Sequence, residues 1–265
     1  MDGTVELADG GHLAFEDVGD GPVVLFLHPG LWDMRTWDPQ VASFVDAGYR
    51  VIRYDQRGFG QSSWPEATYS SVADALALLD TRGVASAALV GCSMGGATAT
   101  QLVIEHPERA WALVPVASGC PGYPWDEEEE ALLFEPIERA VDAGDLTAAT
   151  DAALAVWAAI GTDDPIGQRI REIALENTAQ FQLDEALDVW ERYPTYEHLE
   201  EIDVPTLVVV GDTDVRDIER VADVLATRIP SARKVLIEHA DHVVNMRQPA
   251  AFDAAVLAFL ERSRP

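Results

Sequence analysis

The run Val23-Val24-Leu25-Phe26-Leu27 carries no polar residue. A strand with one wet face alternates apolar with polar residues. A strand that is apolar throughout is covered on both faces, as in parallel sheets sandwiched between helices. Similar runs recur at Ala88-Leu89-Val90, Ala112–Ala117 and Leu207-Val208-Val209-Val210, and Arg50–Tyr54 reads as a further strand. Helical segments fall between them. One presents Trp37, Val41 and Phe44 on one side; another, Ser71–Thr81, repeats Val72, Ala75, Leu76 and Leu79 at helical spacing. Strands alternating with helices imply a parallel sheet with right-handed crossovers. Ahead of this rhythm, Thr4–Ala8 and His12–Glu16 flank Asp9-Gly10-Gly11, a hairpin signal.

The alternation breaks after Ser118-Gly119. From about Cys120 to Glu201 no strong strand appears, and Glu127–Ala143, Leu146–Ile160, Ile166–Phe181 and Glu185–Tyr193 read as four helices. The acidic run Asp126–Glu130 suits a helix opening, where carboxylates meet the positive end of the helix dipole. Alternation then resumes with a helix over about Ile218–Arg228, a strand at Lys234–Glu238 and a closing helix, Pro249–Arg262, with Phe252, Val256 and Phe259 inward. The 265 residues therefore read as one large α/β domain with an insertion. Residues 1–119 and 202–265 form the core, and 120–201 a helical lid.

Charge narrows the partners. The formal net charge is −28, with one lysine, Lys234, among 18 basic residues. Such a polyanion repels nucleic acid and anionic membrane surfaces. No apolar run is long enough to span a bilayer, and the N-terminus lacks the basic and apolar regions of a secretory signal. Two cysteines, Cys92 and Cys120, make no disulfide framework. A cytoplasmic protein, monomeric or homodimeric, is expected.

Chemistry is suggested where the strand at Ala88 ends. Gly91-Cys92-Ser93-Met94-Gly95 is a G-x-S-x-G frame between a strand and an Ala-rich helix. A sharp strand-to-helix turn needs glycine two residues either side of the serine, because side chains there would collide. The turn lifts the serine oxygen clear and aims the first helical N–H groups at whatever binds there. A serine hydroxyl is a weak nucleophile, so a base must take its proton and a third group must orient that base. Candidates lie just beyond strand ends, where parallel sheets build their sites. These are Gly211-Asp212-Thr213-Asp214 and Glu238-His239-Ala240-Asp241-His242.

Taken together, these motifs resemble the α/β-hydrolase superfamily, in its capped esterase, enol-lactonase and perhydrolase-like branch. The matching pieces are His28-Pro29-Gly30, Asp55-x-Arg57-Gly58-x-Gly60-x-Ser62, Gly91-x-Ser93-x-Gly95-Gly96, Gly211-x-x-Asp214 and His242 with Pro249 seven residues on. The resemblance implies a mostly parallel eight-stranded sheet flanked by helices, with an inserted all-helical lid. It implies Ser93 as nucleophile, His242 as general base and Asp214 as the orienting acid. The backbone N–H groups of Gly30 and Met94 would form the oxyanion hole, with no cofactor and no metal. Asp212, or Asp126 as in some relatives, stands as a rival acid, and His239 as a rival base. His12, His106 and His198 read as surface or structural residues, and His28 as a structural one.

Two departures stand out. Pro29 replaces the family's glycine, but the expected donor is Gly30, so the oxyanion N–H survives. Arg247 stands where relatives commonly carry glutamate, which implies a changed salt bridge. Tyr123, Trp125, Trp157, Phe181 and Trp190 could line a pocket or simply pack the lid; Trp32 and Met94 are nearer the reaction centre in sequence. The implied activity is hydrolysis of a small-to-medium, mainly apolar ester or lactone. C–C bond hydrolysis and perhydrolysis or acyl transfer use the same triad. Val243-Val244-Asn245 follows His242 where C–C hydrolases of this type often have tryptophan. A non-catalytic ligand receptor on the same scaffold is the alternative of another class.

Overall fold

The computed structural model describes residues 2–189 and 194–265. Its first two strands, β1 (Asp2–Glu6) and β2 (His12–Val18), form the antiparallel hairpin. Its turn is closed by Leu7 N–H donating to the Gly11 carbonyl and by the Asp9 side chain accepting from Gly11 N–H at 3.0 Å. The apolar run is β3 (Val23–Leu27), buried at every position, and it leads through a loop to α1 (Asp38–Asp46) and β4 (Arg50–Tyr54). Next come α2 (Ser71–Thr81), β5 (Ala87–Cys92), α3 (Met94–Glu105) and β6 (Ala110–Val116).

The expected insertion follows: α4 (Glu127–Asp142), α5 (Leu146–Trp157) and α6 (Pro165–Glu176), then short 3-10 turns. The core resumes with β7 (Thr206–Gly211), α7 (Arg216–Arg228), β8 (Ala232–Ile237), the single turn α8 (Val244–Arg247) and α9 (Pro249–Ser263). Among the described residues, eight strands form one sheet in the order β1-β2-β4-β3-β5-β6-β7-β8, antiparallel at β1-β2 and β2-β4 and parallel elsewhere. No helix among these residues is long and apolar enough to cross a membrane.

Aromatic packing fixes the helices over the central strands. Phe26 stacks on Trp37 with centroids 4.6 Å apart and meets Phe44 of α1 edge-on at 5.1 Å, while Trp37 reaches Phe252 of α9 at 5.9 Å. The helices of the insertion build a second, smaller core. Ile137, Ala153, Leu154, Ile170, Ile173 and Ala174 pack with Leu31 and Trp32 from the loop after β3 and with Val243 and Met246 after β8. The insertion is thus seated on loops at the carboxyl ends of the strands.

The insertion departs from the sequence reading at its end. Glu185–Leu187 is a 3-10 turn where a longer helix was expected, and residues 190–193, Trp190 among them, lie outside the described residues. The helical pattern is overridden by backbone pairing. Tyr69 N–H donates to the Leu187 carbonyl and Val189 N–H to the Tyr69 carbonyl, which takes the chain out of the helical path at Asp188.

Candidate active site

Ser93 joins β5 to α3 with φ 52° and ψ −116°, a strained conformation for a residue with a side chain. It is over-determined by its surroundings. Ser93 N–H donates to the Val116 carbonyl at 2.9 Å, and its own carbonyl accepts from Ala97 N–H at 2.9 Å and Gly119 N–H at 3.2 Å. A Cβ at Gly91 would stand 2.1 Å from the Gly95 carbonyl oxygen, and one at Gly95 would stand 2.4 Å from that of Leu27. The two glycines are therefore a steric requirement of the turn.

The loops after β7 and β8 are laced together. Asp212 N–H donates to the Ile237 carbonyl at 3.1 Å and Thr213 N–H to the Ala240 carbonyl at 3.0 Å. This register brings Asp214 to His242: both carboxylate oxygens lie 3.1 Å from Nδ1, and the two side chains are 1% and 2% exposed. Val215 N–H donates to Asp214 Oδ1 at 2.8 Å and fixes the carboxylate's rotation. The rival groups lie elsewhere. Asp212 is exposed and accepts from Ala240 N–H, Asp126 and His239 are exposed, and neither acid is hydrogen-bonded to His242. Cys92 is buried, its Sγ 3.5 Å from the His242 carbonyl, and burial pushes its thiol well above the usual range.

His28 sets the loop after β3. Its Nε2 accepts from Gln56 N–H at 2.9 Å, so Nδ1 carries the proton and donates to the Pro29 carbonyl at 2.8 Å. Complete burial holds this imidazole below its ordinary range, which keeps it neutral. The chain has no cis peptide among the described residues, and in a trans peptide the N–H points opposite the carbonyl. With the Pro29 carbonyl turned to His28, the Gly30 N–H faces away from that ring, and Gly30 lines a cavity together with Ser93. Met94 begins α3, so its N–H has no acceptor within that helix.

Ser93, Met94, Gly30 and His242 line one cavity of about 1060 Å³. Trp32, Phe59, Tyr69, Trp125, Phe134, Trp157 and Phe181 supply its aromatic wall. Of the aromatic residues noted in the sequence, Trp125, Trp157 and Phe181 line the cavity, whereas Tyr123 packs against Trp125 and Tyr196 outside it. Every charged residue lining it among those described, His242 aside, is a carboxylate: Glu127, Glu130, Glu135, Glu138 and Asp142 from α4, with Asp184 and Asp188. Asp188 is 6% exposed and accepts from the Ser71 hydroxyl and N–H. Arg57, the cation beside Tyr69, is taken up by Asp74 and Asp9.

Sequence reasoning missed two features. The Trp157 ring lies against the His242 ring, centroids 4.4 Å apart at 39°. Arg247, expected only to make a changed salt bridge, pairs with Asp241 inside the fold; their side chains are 3% and 1% exposed. Two opposite charges on the His242 loop, Asp241 and Arg247, were the available signal.

The sequence profile of the alpha/beta hydrolase fold family matches residues 22–249. The 3-oxoadipate enol-lactonase 2 of Acinetobacter baylyi is 30% identical over 253 residues, covering 92% of this chain and 90% of that protein. The bromoperoxidase of Bacillus anthracis superposes with a TM-score of 0.84 at 25% identity, over 98% of this chain and 100% of that one. A thermophilic esterase from Thermogutta terrifontis has the same fold, with a TM-score of 0.85 at 24% identity and full coverage of both chains.

Proposed function

The chain belongs to the alpha/beta hydrolase family and is a hydrolase of that class; from that premise we propose that it cleaves small-to-medium, uncharged carboxylic esters or lactones through an acyl-enzyme on Ser93. The observation that carries the reading is the buried His242–Asp214 contact opening into the same cavity as Ser93. Ser93 Oγ bonds to the carbonyl carbon as His242 Nε2 takes its proton, and the carbonyl π pair moves onto oxygen. Gly30 and Met94 N–H groups hold that oxyanion; removing one such donor costs about 3–4 kcal/mol. The protonated His242 then gives its proton to the leaving oxygen. Water, deprotonated by the same imidazole, releases the acid and restores Ser93. The helical insertion acts as the lid that closes the cavity.

The cavity supports the substrate class. Its volume suits a small-to-medium ligand, and its aromatic wall suits an apolar one. Its carboxylates disfavour an anionic one: each exposed pair of like charges at about 4 Å opposes binding by about 1 kcal/mol, less at high salt. The same field speeds departure of the carboxylate product.

Hydrolysis of p-nitrophenyl esters and lactones of graded acyl length, by wild type and Ser93→Ala, tests the reading. Turnover lost in the variant is expected; equal turnover by both would refute it. The likeness to a bromoperoxidase favours a second reading, in which hydrogen peroxide replaces water and the acyl-enzyme yields a peracid plus free Ser93. Peracid formation during turnover with peroxide measures that branch.

A further inference from the structure

Besides the apolar packing of Val243 and Met246, the insertion meets the proposed catalytic loop at His242 itself and at the residue before it. At His242 the contact is the Trp157 ring, at the C-terminal end of α5, lying 4.4 Å from the imidazole. At Asp241 it is the turn that follows α5. Asp241 Oδ2 accepts from Ile160 N–H at 3.2 Å, and Arg247 donates to the Gly161 carbonyl at 2.7 Å. Arg247 also closes on Asp241, with Nε 3.1 and 3.0 Å from the two carboxylate oxygens and Nη2 2.9 Å from one of them. Asp241 immediately precedes His242, so the residues that grip the α5 turn and the imidazole it faces share one short loop.

We infer that Trp157 is a positioning residue for His242, and that the Asp241–Arg247 pair is the clip that holds it there. The inference rests on His242 being the base for Ser93. Asp214 fixes the imidazole at Nδ1 but leaves the ring free to tilt about that contact; the indole face removes this freedom on the cavity side. When His242 takes the serine proton it becomes a cation, and a cation within about 6 Å of an indole face is attracted to it. The contact therefore strengthens as the proton moves, which favours the transition state over the resting enzyme. A pair buried as deeply as Asp241–Arg247 adds little net stability of its own but resists separation, because parting it would strand a charge. It serves as a geometric latch between lid and loop.

The test is the rate at which a small fluorophosphonate labels Ser93 in the full-length protein, compared among wild type, Trp157→Phe and Trp157→Leu. The probe is small enough to fill little of the aromatic cavity. Labelling about 2- to 30-fold slower in the leucine variant is expected from the range of such cation–aromatic contacts, with the phenylalanine variant between it and wild type. Wild-type labelling by the leucine variant would overturn the inference. So would equal slowing of both variants, which is what loss of packing alone would give. The clip is read with Asp241→Asn/Arg247→Met, alone and combined with Trp157→Leu. The triple variant should label no more slowly than Trp157→Leu, since the clip acts through the indole; additive losses would overturn that part. If the clip variant does not fold, the Trp157 comparison decides the matter. Failure of wild-type Ser93 to label would instead remove the serine mechanism, and this inference with it.

Discussion

Asp214→Asn isolates the role of the carboxylate with almost no change of shape. In the native loop Val215 N–H donates to Oδ1, 2.8 Å away, while both oxygens stand 3.1 Å from His242 Nδ1. An asparagine must keep its amide oxygen on Val215, because its NH₂ cannot accept that bond. The NH₂ then replaces Oδ2 at 3.1 Å from Nδ1, where its hydrogens repel a proton on that nitrogen and favour donating to it. Nδ1 becomes the acceptor, the ring proton moves to Nε2, and the nitrogen that should accept the serine proton is blocked. Wrong-tautomer substitutions of this kind cost about 10⁴-fold, or about 5 kcal/mol. The assay is kcat/KM on a p-nitrophenyl ester of middle length, with the melting temperature as a check on folding. Asp212→Asn is the control: it is exposed and does not touch His242, and the asparagine oxygen can still accept from Ala240 N–H, so it should change kcat/KM by no more than about twofold. A loss below about tenfold in Asp214→Asn would refute the tautomer reasoning.

Gly95→Ala should destabilise the fold by about 3 kcal/mol and abolish turnover, because the added methyl meets the Leu27 and His28 carbonyl oxygens; thermal melts with the ester assay check this. Arg50, then Arg82, hold the Asp17 carboxyl below the usual carboxylate range against the opposing effect of burial. That stabilisation is complete above the unfolded value of about 3.9 and is lost as pH falls through the lower folded value. Melting temperatures of wild type and Asp17→Asn should therefore differ at neutral pH and converge in acid; a gap constant with pH would contradict the linkage. Among p-nitrophenyl esters of equal length, an ω-carboxylate should have a lower kcat/KM than its ω-methyl ester. The gap should shrink with added salt and in Glu127→Gln/Glu130→Gln/Glu138→Gln.

The parts of the fold legible in the sequence were those with local causes. Val23–Leu27 announced a strand covered on both faces, and Gly91 and Gly95 announced a turn that tolerates no Cβ. Asp214 and His242 could be nominated because both follow strand ends by a few residues, and the lacing of those two loops brings them together. What escaped depends on how distant elements dock. Trp157 reads from sequence as core or pocket; only the seating of α5 on the His242 loop turns its ring onto the imidazole. The helical reading of Glu185–Tyr193 failed at 188–189 because Tyr69, more than a hundred residues away, captures that backbone. The Arg247–Asp241 pair lies within one short loop, but its grip on the α5 turn was hidden, since nothing local requires that turn to lie over both.

The central claim is that Ser93 is a nucleophile activated by His242. Its most direct measurement is peptide mapping by mass spectrometry after exposure to a fluorophosphonate, for wild type and His242→Ala. One adduct per chain, on the peptide holding Ser93, with labelling slowed by about three orders of magnitude or more in the variant, is the predicted result. An adduct on another residue, or labelling of Ser93 at the same rate without His242, would contradict it.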